Sequence, residues 1–256
     1  MSEGAVCLSR IIGVNTLVFN EELQTGKKEQ WEFFDGFARI GFPFVEVRRE
    51  FFRNLEEELV QTREMAKKNH LALFYSIPDV LFVEEEVNLH LEKYFEEAAS
   101  LGAEQVKLTL GDYHSFTPGG VSSLMKLLEA YPAIKLTIEN DQSLKAGSAH
   151  ALTRFIVKAH EENLPVSLTF DTGNFSFIQE DAEVAARILA DFVNYIHLKN
   201  VKLVAPGAIE LALYETGDIK MDSVLAAFKE HVAAVIEYPC ETWDVLEKQY
   251  HRIMKL

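Results

Sequence analysis

Apolar and polar residues alternate along short stretches of this chain, and the stretches recur at a nearly even spacing. Eight apolar-rich runs stand out: IIGVNTLVF, FPFVEVR, LALFYSI, QVKLTL, IKLTIE, VSLTFD, YIHLK and AAVIEY. Each has strand length and is rich in β-branched or aromatic residues. Helical patterns follow them. RNLEEELVQTREMAKKNH brings Leu55, Leu59 and Met65 near one face. EVNLHLEKYFEEAASLG does the same with Val87, Leu91, Phe95 and Ala98, and Gly102 is a natural C-terminal stop. SAHALTRFIVKAHEEN, EDAEVAARILADFV and TWDVLEKQYHRIM repeat the scheme.

The runs end near residues 16, 46, 76, 110, 139, 171, 197 and 237. Most intervals are about 30 residues, which suits one strand, one helix and two loops, and eight such units describe a (β/α)8 TIM barrel of α/β class. An open doubly wound sheet more often carries a Gly-rich phosphate turn after its first strand, and GVNTLVF has none. No Pro/Gly/Ser-rich linker or low-complexity stretch divides the chain, so residues 1–256 read as a single TIM barrel domain. The longest interval holds NVKLVAPGAIELALYETGDIKM, expected to form a lid or substrate wall at the C-terminal end of a barrel strand.

Within the runs, polar residues gather on one face. Lys135, Thr137 and Glu139 oppose Leu136 and Ile138; Ser167, Thr169 and Asp171 oppose Val166, Leu168 and Phe170. Tyr195, His197 and Lys199 share a face, as do Lys107 and Thr109, Glu46 and Arg48, and Val235 and Glu237. Parallel strands covered on both sides usually read as continuous apolar runs. Here the apolar face is expected to meet the helices and the polar face to line the barrel interior. The charges lie late in their strands, at the mouth where barrel active sites sit. Interior ion pairs such as Glu46–Arg48 and Glu139–Lys107 account for any one of them. They account less well for all, because interior charge is costly and a fold does not need so much of it.

Composition narrows the chemistry. The 256 residues are 48% hydrophobic, with a formal net charge of −15 and no run of lysines or arginines. Nucleic acid and anionic membrane surfaces are therefore poor partners, and no apolar run approaches the ~20 residues of a membrane span. The two cysteines, Cys7 and Cys240, form no CxxC pair, and MSEGAVCLSR lacks the basic and apolar segments of a signal peptide. A cytoplasmic protein acting on a small molecule is expected, with a homo-oligomer left open.

One stretch poses a sharper question. LTFDTGNF ends an apolar strand on Asp171, and a buried carboxylate costs several kcal/mol unless its charge is compensated. Its expected neighbours across the barrel axis are Glu139, His197 and Glu237. Three carboxylates and an imidazole call for a cation, and the donor set suits one divalent metal ion: Mn, Mg, Co or Zn. Gly173 is expected to turn the chain sharply and leave the mouth open. Lys199, Lys107 and Arg48 either bind substrate oxygens or an anionic group, or balance interior glutamates. Phe74, Phe175 and Trp243 are candidate pocket walls. The other histidines, TPGGVSS and Cys240 read as packing, capping and surface features.

These residues carry a resemblance. LTIEN, FDTGN, IHLKN and VIEY, in that order, resemble strands five to eight of the xylose-isomerase-like TIM barrels, a superfamily of sugar isomerases and epimerases, inosose dehydratase-like enzymes and apurinic endonucleases. FVEVRRE resembles its second strand, and ETGDIKMDSVLAAF the segment before its last. The resemblance implies metal ligands at Glu139, Asp171, His197 and Glu237, acid/base roles for Glu139 and Glu237, and a substrate contact at Glu46. Asn174 stands where many members have histidine; it can hydrogen-bond a substrate hydroxyl but cannot titrate near neutral pH. ENDQSLK offers Asp141 and Lys145 where some epimerases carry another glutamate. FYSIP and KLTLGDY lack the histidines of the nuclease branch, and His114 lies just beyond. The implied activity is a metal-dependent sugar isomerase or epimerase working through an enediolate. The alternatives are a dehydratase or lyase on the same site, or a non-catalytic sugar-binding barrel; an endonuclease ranks last.

Overall fold

Eight parallel strands close on themselves in the computed structural model, which describes residues 10–205 and 208–255. They are β1 (Ile12–Asn15), β2 (Phe44–Arg48), β3 (Ala72–Val83), β4 (Gln105–Gly111), β5 (Lys135–Glu139), β6 (Val166–Asp171), β7 (Val193–Leu198) and β8 (Ala233–Ile236). β1 pairs with β8 and β2, β2 closes the ring on β3, and the remaining neighbours follow chain order. This is the (β/α)8 TIM barrel expected from the spacing. Cys7, and with it residues 1–9 of the stretch read for a leader, lie outside the described residues. Among the described residues no helix is long and apolar enough to cross a membrane.

The alternation along the strands sorts side chains as expected. Val45, Val47, Val106, Leu108, Ile138 and Leu168 point outward and join the helices in one large core. The inward positions form layers. The lowest is apolar: Phe44, Tyr195 and Val235 pack together with Phe74, Ala72 and Ala233. The Phe44 and Phe74 rings stack at 4.6 Å, and Tyr195 meets Phe74 edge-on at 5.1 Å. Gly13 makes room for this floor, since a Cβ there would fall 2.2 Å from the Phe44 ring.

Three elements differ from the sequence expectation. The first run is a strand only to Asn15, whose side chain accepts from the Leu17 N–H and curls Thr16–Phe19 into a 3-10 turn. The third strand runs on to Val83, shifting register between Ser76 and Val80, around Pro78, which has no N–H for the ladder. It then folds back onto a short antiparallel strand, Glu86–Val87, so the next helix begins at Leu91 and Val87 is not part of it. The long interval after β7 is an antiparallel hairpin, Asn200–Ala205 with Ala208–Ala212. Buried Asn200 fixes its root by donating to the Tyr214 and Ile219 carbonyls and accepting from the Val201 and Ile219 amides. Gly102, in the left-handed conformation, ends the helix before β4 as expected.

Candidate active site

The strand register brings the carboxylates together. Asp171 on β6 lies beside His197 on β7, Glu139 ends β5, and Glu237 follows β8. One donor atom from each of Glu139, Asp171, His197 and Glu237 lies within 4.8 Å of the others. All four are buried, with His197 and Asp171 fully closed to solvent.

His197 is oriented from below. Its Nε2 is 3.0 Å from Glu46 Oε2, and Asn15 Nδ2 donates to Glu46 Oε1 at 2.8 Å. A carboxylate at one ring nitrogen favours a proton there and leaves the other nitrogen as the one that faces the cluster. That other nitrogen, Nδ1, stands 2.8 Å from Glu139 Oε1 and 2.9 Å from Glu237 Oε2. The angles do not make hydrogen bonds. His197 Nδ1 and Glu237 Oε2 are both buried without a hydrogen-bond partner among the described residues. Two ligands at right angles on a divalent ion with bonds near 2.1 Å would stand about 3 Å apart. The donor set and its spacing therefore fit a divalent metal ion.

Three permanent cations share the cluster. Buried Lys107 donates to Glu139 Oε2 at 2.6 Å, the ion pair anticipated from the strand faces. Arg48 does not pair with Glu46; it donates to Glu237 Oε1 and to Glu50 Oε1, both at 2.6 Å. Lys199 donates to Asp171 Oδ2 and lies 3.2 Å from Glu237 Oε2. Burial alone would raise the Glu139 carboxyl, but Lys107 and then His197 hold it well below the usual range. Glu237 is likewise held low, with His197 and Lys199 outweighing burial. Burial dominates at Asp171 and pushes it up to about 6 against the pull of Lys199. The Glu237 charge, followed by Glu46 and Glu139, raises His197 despite burial.

Glu46 is fully buried with both oxygens engaged, so its place is beneath His197 and not at the open mouth. Asn174 is also turned inward: it donates to the Asn140 carbonyl at 2.8 Å and accepts from Gln142 at 3.2 Å. It supports the turn after β6, where Asp171 Oδ1 accepts from the amides of Gly173 and Asn174. Gly173 has an ordinary helical φ of −84°, so sharp turning is not its reason. A Cβ there would come within 2.8 Å of Lys199 Cγ and 2.9 Å of its carbonyl oxygen. The glycine lets β7 and the Lys199 stem pass close by; it does not hold the mouth open.

The sequence reading missed Asn15 and Asn140. Asn15 is the last residue of β1, on the same inward face as the other polar residues, and the alternation would have found it. Asn140 follows Glu139 and braces β6, accepting from the Asp171 N–H at 2.7 Å and donating to its carbonyl at 2.9 Å. Other candidates lie elsewhere. Lys145 pairs with Asp112 at 2.6 Å on the surface, and Asp141 caps the Ser143 amide. Phe74 belongs to the barrel floor, Phe175 is buried against Phe170, and Trp243 packs on Phe19 and Phe37. Cys240 is fully buried, its thiol pushed up to about 12 by burial. Thr117 caps the helix that begins in TPGGVSS, accepting from the Gly120 N–H at 3.0 Å.

The arrangement joins three carboxylates, an oriented imidazole and fixed positive charge at a barrel mouth, a set suited to moving protons next to a polarised carbonyl. No family model and no curated protein matches the chain. Solved structures do match over nearly its whole length. D-allulose 3-epimerase from Methylomonas sp. superposes with a TM-score of 0.67 at 15% identity, covering 96% of this chain and 98% of that one. The probable 3-DHS dehydratase from Bacillus anthracis gives 0.69 at 14%, covering 95% and 97%. The 3-keto-D-glucoside 4-epimerase from E. coli gives 0.67 at 13%, covering 96% and 100%. With strand order, register and these superpositions in agreement, the chain has the fold of the xylose-isomerase-like TIM barrels.

Proposed function

We propose that the protein is a divalent-metal-dependent isomerase or epimerase of a sugar or sugar derivative. One observation carries this reading: among the described residues, buried Nδ1 of His197 and Oε2 of Glu237 have no hydrogen-bond partner, and they stand beside Glu139 and Asp171 at ligand spacing. Sugar epimerases among the solved structures of this fold support it.

Glu139, Asp171, His197 and Glu237 would hold the ion, which would supply Lewis-acid polarisation of a carbonyl and its neighbouring hydroxyl. Glu139 is ionised at neutral pH, as a proton acceptor must be, and Lys107 fixes its Oε2 so that Oε1 faces inward. It removes the proton from the carbon next to the carbonyl, leaving an enediolate. Glu139, then carrying that proton, gives an isomer by returning it to the adjacent carbon; an epimer forms when Glu237, on the facing wall, first takes up a proton and then delivers it to the opposite face. Arg48 and Lys199 are the more exposed cations of the cluster and face the negative charge that develops on oxygen. Glu46 and Asn15 keep His197 in register, and the apolar floor keeps water from below.

The test incubates the metal-supplemented protein with a panel of ketoses and keto acids in D2O. Deuterium entering carbon next to the carbonyl, with an otherwise unchanged product mass, is expected. Loss of water from the product would instead mark a dehydratase, the class of the probable 3-DHS dehydratase that shares this fold. A barrel that binds sugars without any exchange would end the catalytic reading.

A further inference from the structure

Lys199 raises a question that the proton-transfer scheme leaves open. Its ammonium bridges Asp171 Oδ2 and Glu237 Oε2, two of the four groups placed to share an ion. Its stem is not loose: it passes over Gly173, where any Cβ would lie within 3.0 Å of its Cγ and Cδ. The Lys199 N–H is also tied to Thr172 Oγ1 at 2.9 Å, and Thr172 Oγ1 donates back to the Lys199 carbonyl at 2.8 Å. The ammonium is therefore delivered to these carboxylates by its anchored backbone.

The charges show what it does there. Four buried carboxylates, Glu46, Glu139, Asp171 and Glu237, face three permanent cations, Lys107, Lys199 and Arg48, and one imidazole. Lys107 and Arg48 each hold the outer oxygen of a glutamate, away from His197 Nδ1. Among the described residues, Lys199 is the one cation on Asp171, and it shares with His197 the Glu237 oxygen that has no hydrogen-bond partner there. An ammonium and a divalent ion cannot both claim those oxygens at close range without strong repulsion.

We propose that Lys199 is a resident counter-cation of the metal centre: it occupies the Asp171 and Glu237 oxygens, holds the cluster together when no ion is bound, and must withdraw before a divalent ion can bind. This rests on the metal-centre reading above. Lys199 acts here as a positioning residue that sets metal affinity. Removing its charge should tighten ion binding and weaken the ion-free protein, two effects of opposite sign that a purely structural lysine would not give.

The experiment measures Mn2+ binding by calorimetry, and Tm in EDTA and in Mn2+, for the wild-type chain, Lys199→Met and Lys199→Gln. Both variants are expected to bind Mn2+ about tenfold tighter or better, the equivalent of one buried charge interaction. Both should melt lower than wild type in EDTA and gain more from Mn2+. Wild-type binding with no tightening in either variant would overturn the proposal while leaving the metal centre intact. Absence of Mn2+ binding in all three proteins would remove the metal centre itself, and the proposal with it. Variants that stay unfolded even in Mn2+ would also overturn it, because Lys199 would then be indispensable to the fold and not a replaceable cation.

Discussion

The two ends of the barrel interior are built from the same strands yet follow opposite rules. On β2, Phe44 belongs to the floor and Glu46, two residues on, lies under His197 and its carboxylate cluster. On β7, Tyr195 closes the floor and His197 stands above it, the two rings edge to face at 5.1 Å. One step of the pleat thus separates a dry aromatic layer from a layer of charge. The floor can be filled by shape alone, because apolar side chains need only volume and contact. The upper layer is solvent-poor and charged, so every group in it needs a specific partner. The floor is expected to carry stability and the upper layer chemistry.

Substitutions can break that division in order of effect. Glu139→Gln, at the top, should cost about 10²–10⁴-fold in turnover while the chain stays folded. Steady-state rates alongside circular dichroism check it. Phe44→Ala, at the bottom, should destabilise by about 3–5 kcal/mol with Mn2+ affinity nearly unchanged, as read from denaturant unfolding and calorimetry. Equal losses of activity and stability from both substitutions would erase the distinction. Glu46→Gln tests the seam between the layers. It keeps the shape but weakens the hold on His197, so metal affinity should fall about 10–100-fold with only a small change in Tm.

The smallest effect is on acid stability. Glu139 and Glu237 are held below the ordinary value of 4.5, so their pairing stabilises the protein fully above that pH and is lost as pH falls through their folded values. In EDTA, the wild-type Tm should drop on the acid side more steeply than that of Glu139→Gln, by about 2–4 °C for each kcal/mol of pairing lost. Parallel Tm profiles would show that the pairing contributes nothing.

Much of this division was legible in the sequence. Period-two alternation, read at the ends of eight evenly spaced runs, located Glu139, Asp171, His197 and Glu237, because a strand's inward face depends only on residue parity. Parity says nothing about height in the barrel or about which partner a long side chain selects. That is why the sequence offers Phe74 as a pocket wall and leaves Arg48 between a substrate contact and a partner of Glu46, where the structure pairs it with Glu237 and Glu50. Asn174 was misplaced for a related reason: a short amide beside a turn serves the backbone as readily as a ligand. The segment after β7 is expected from sequence as a lid or substrate wall, and its hairpin form is not legible there, since its strands gain their partners from each other and not from the barrel.

The vacancy at Gly13 has a consequence for how such chains diverge. Gly13 and Phe44 sit on adjacent strands and draw on a single volume: a side chain at one position excludes a large ring at the other. Drift should therefore preserve the sum and not the address, so a bulky residue at 13 matched by a small one at 44 ought to restore a floor that either change alone would ruin.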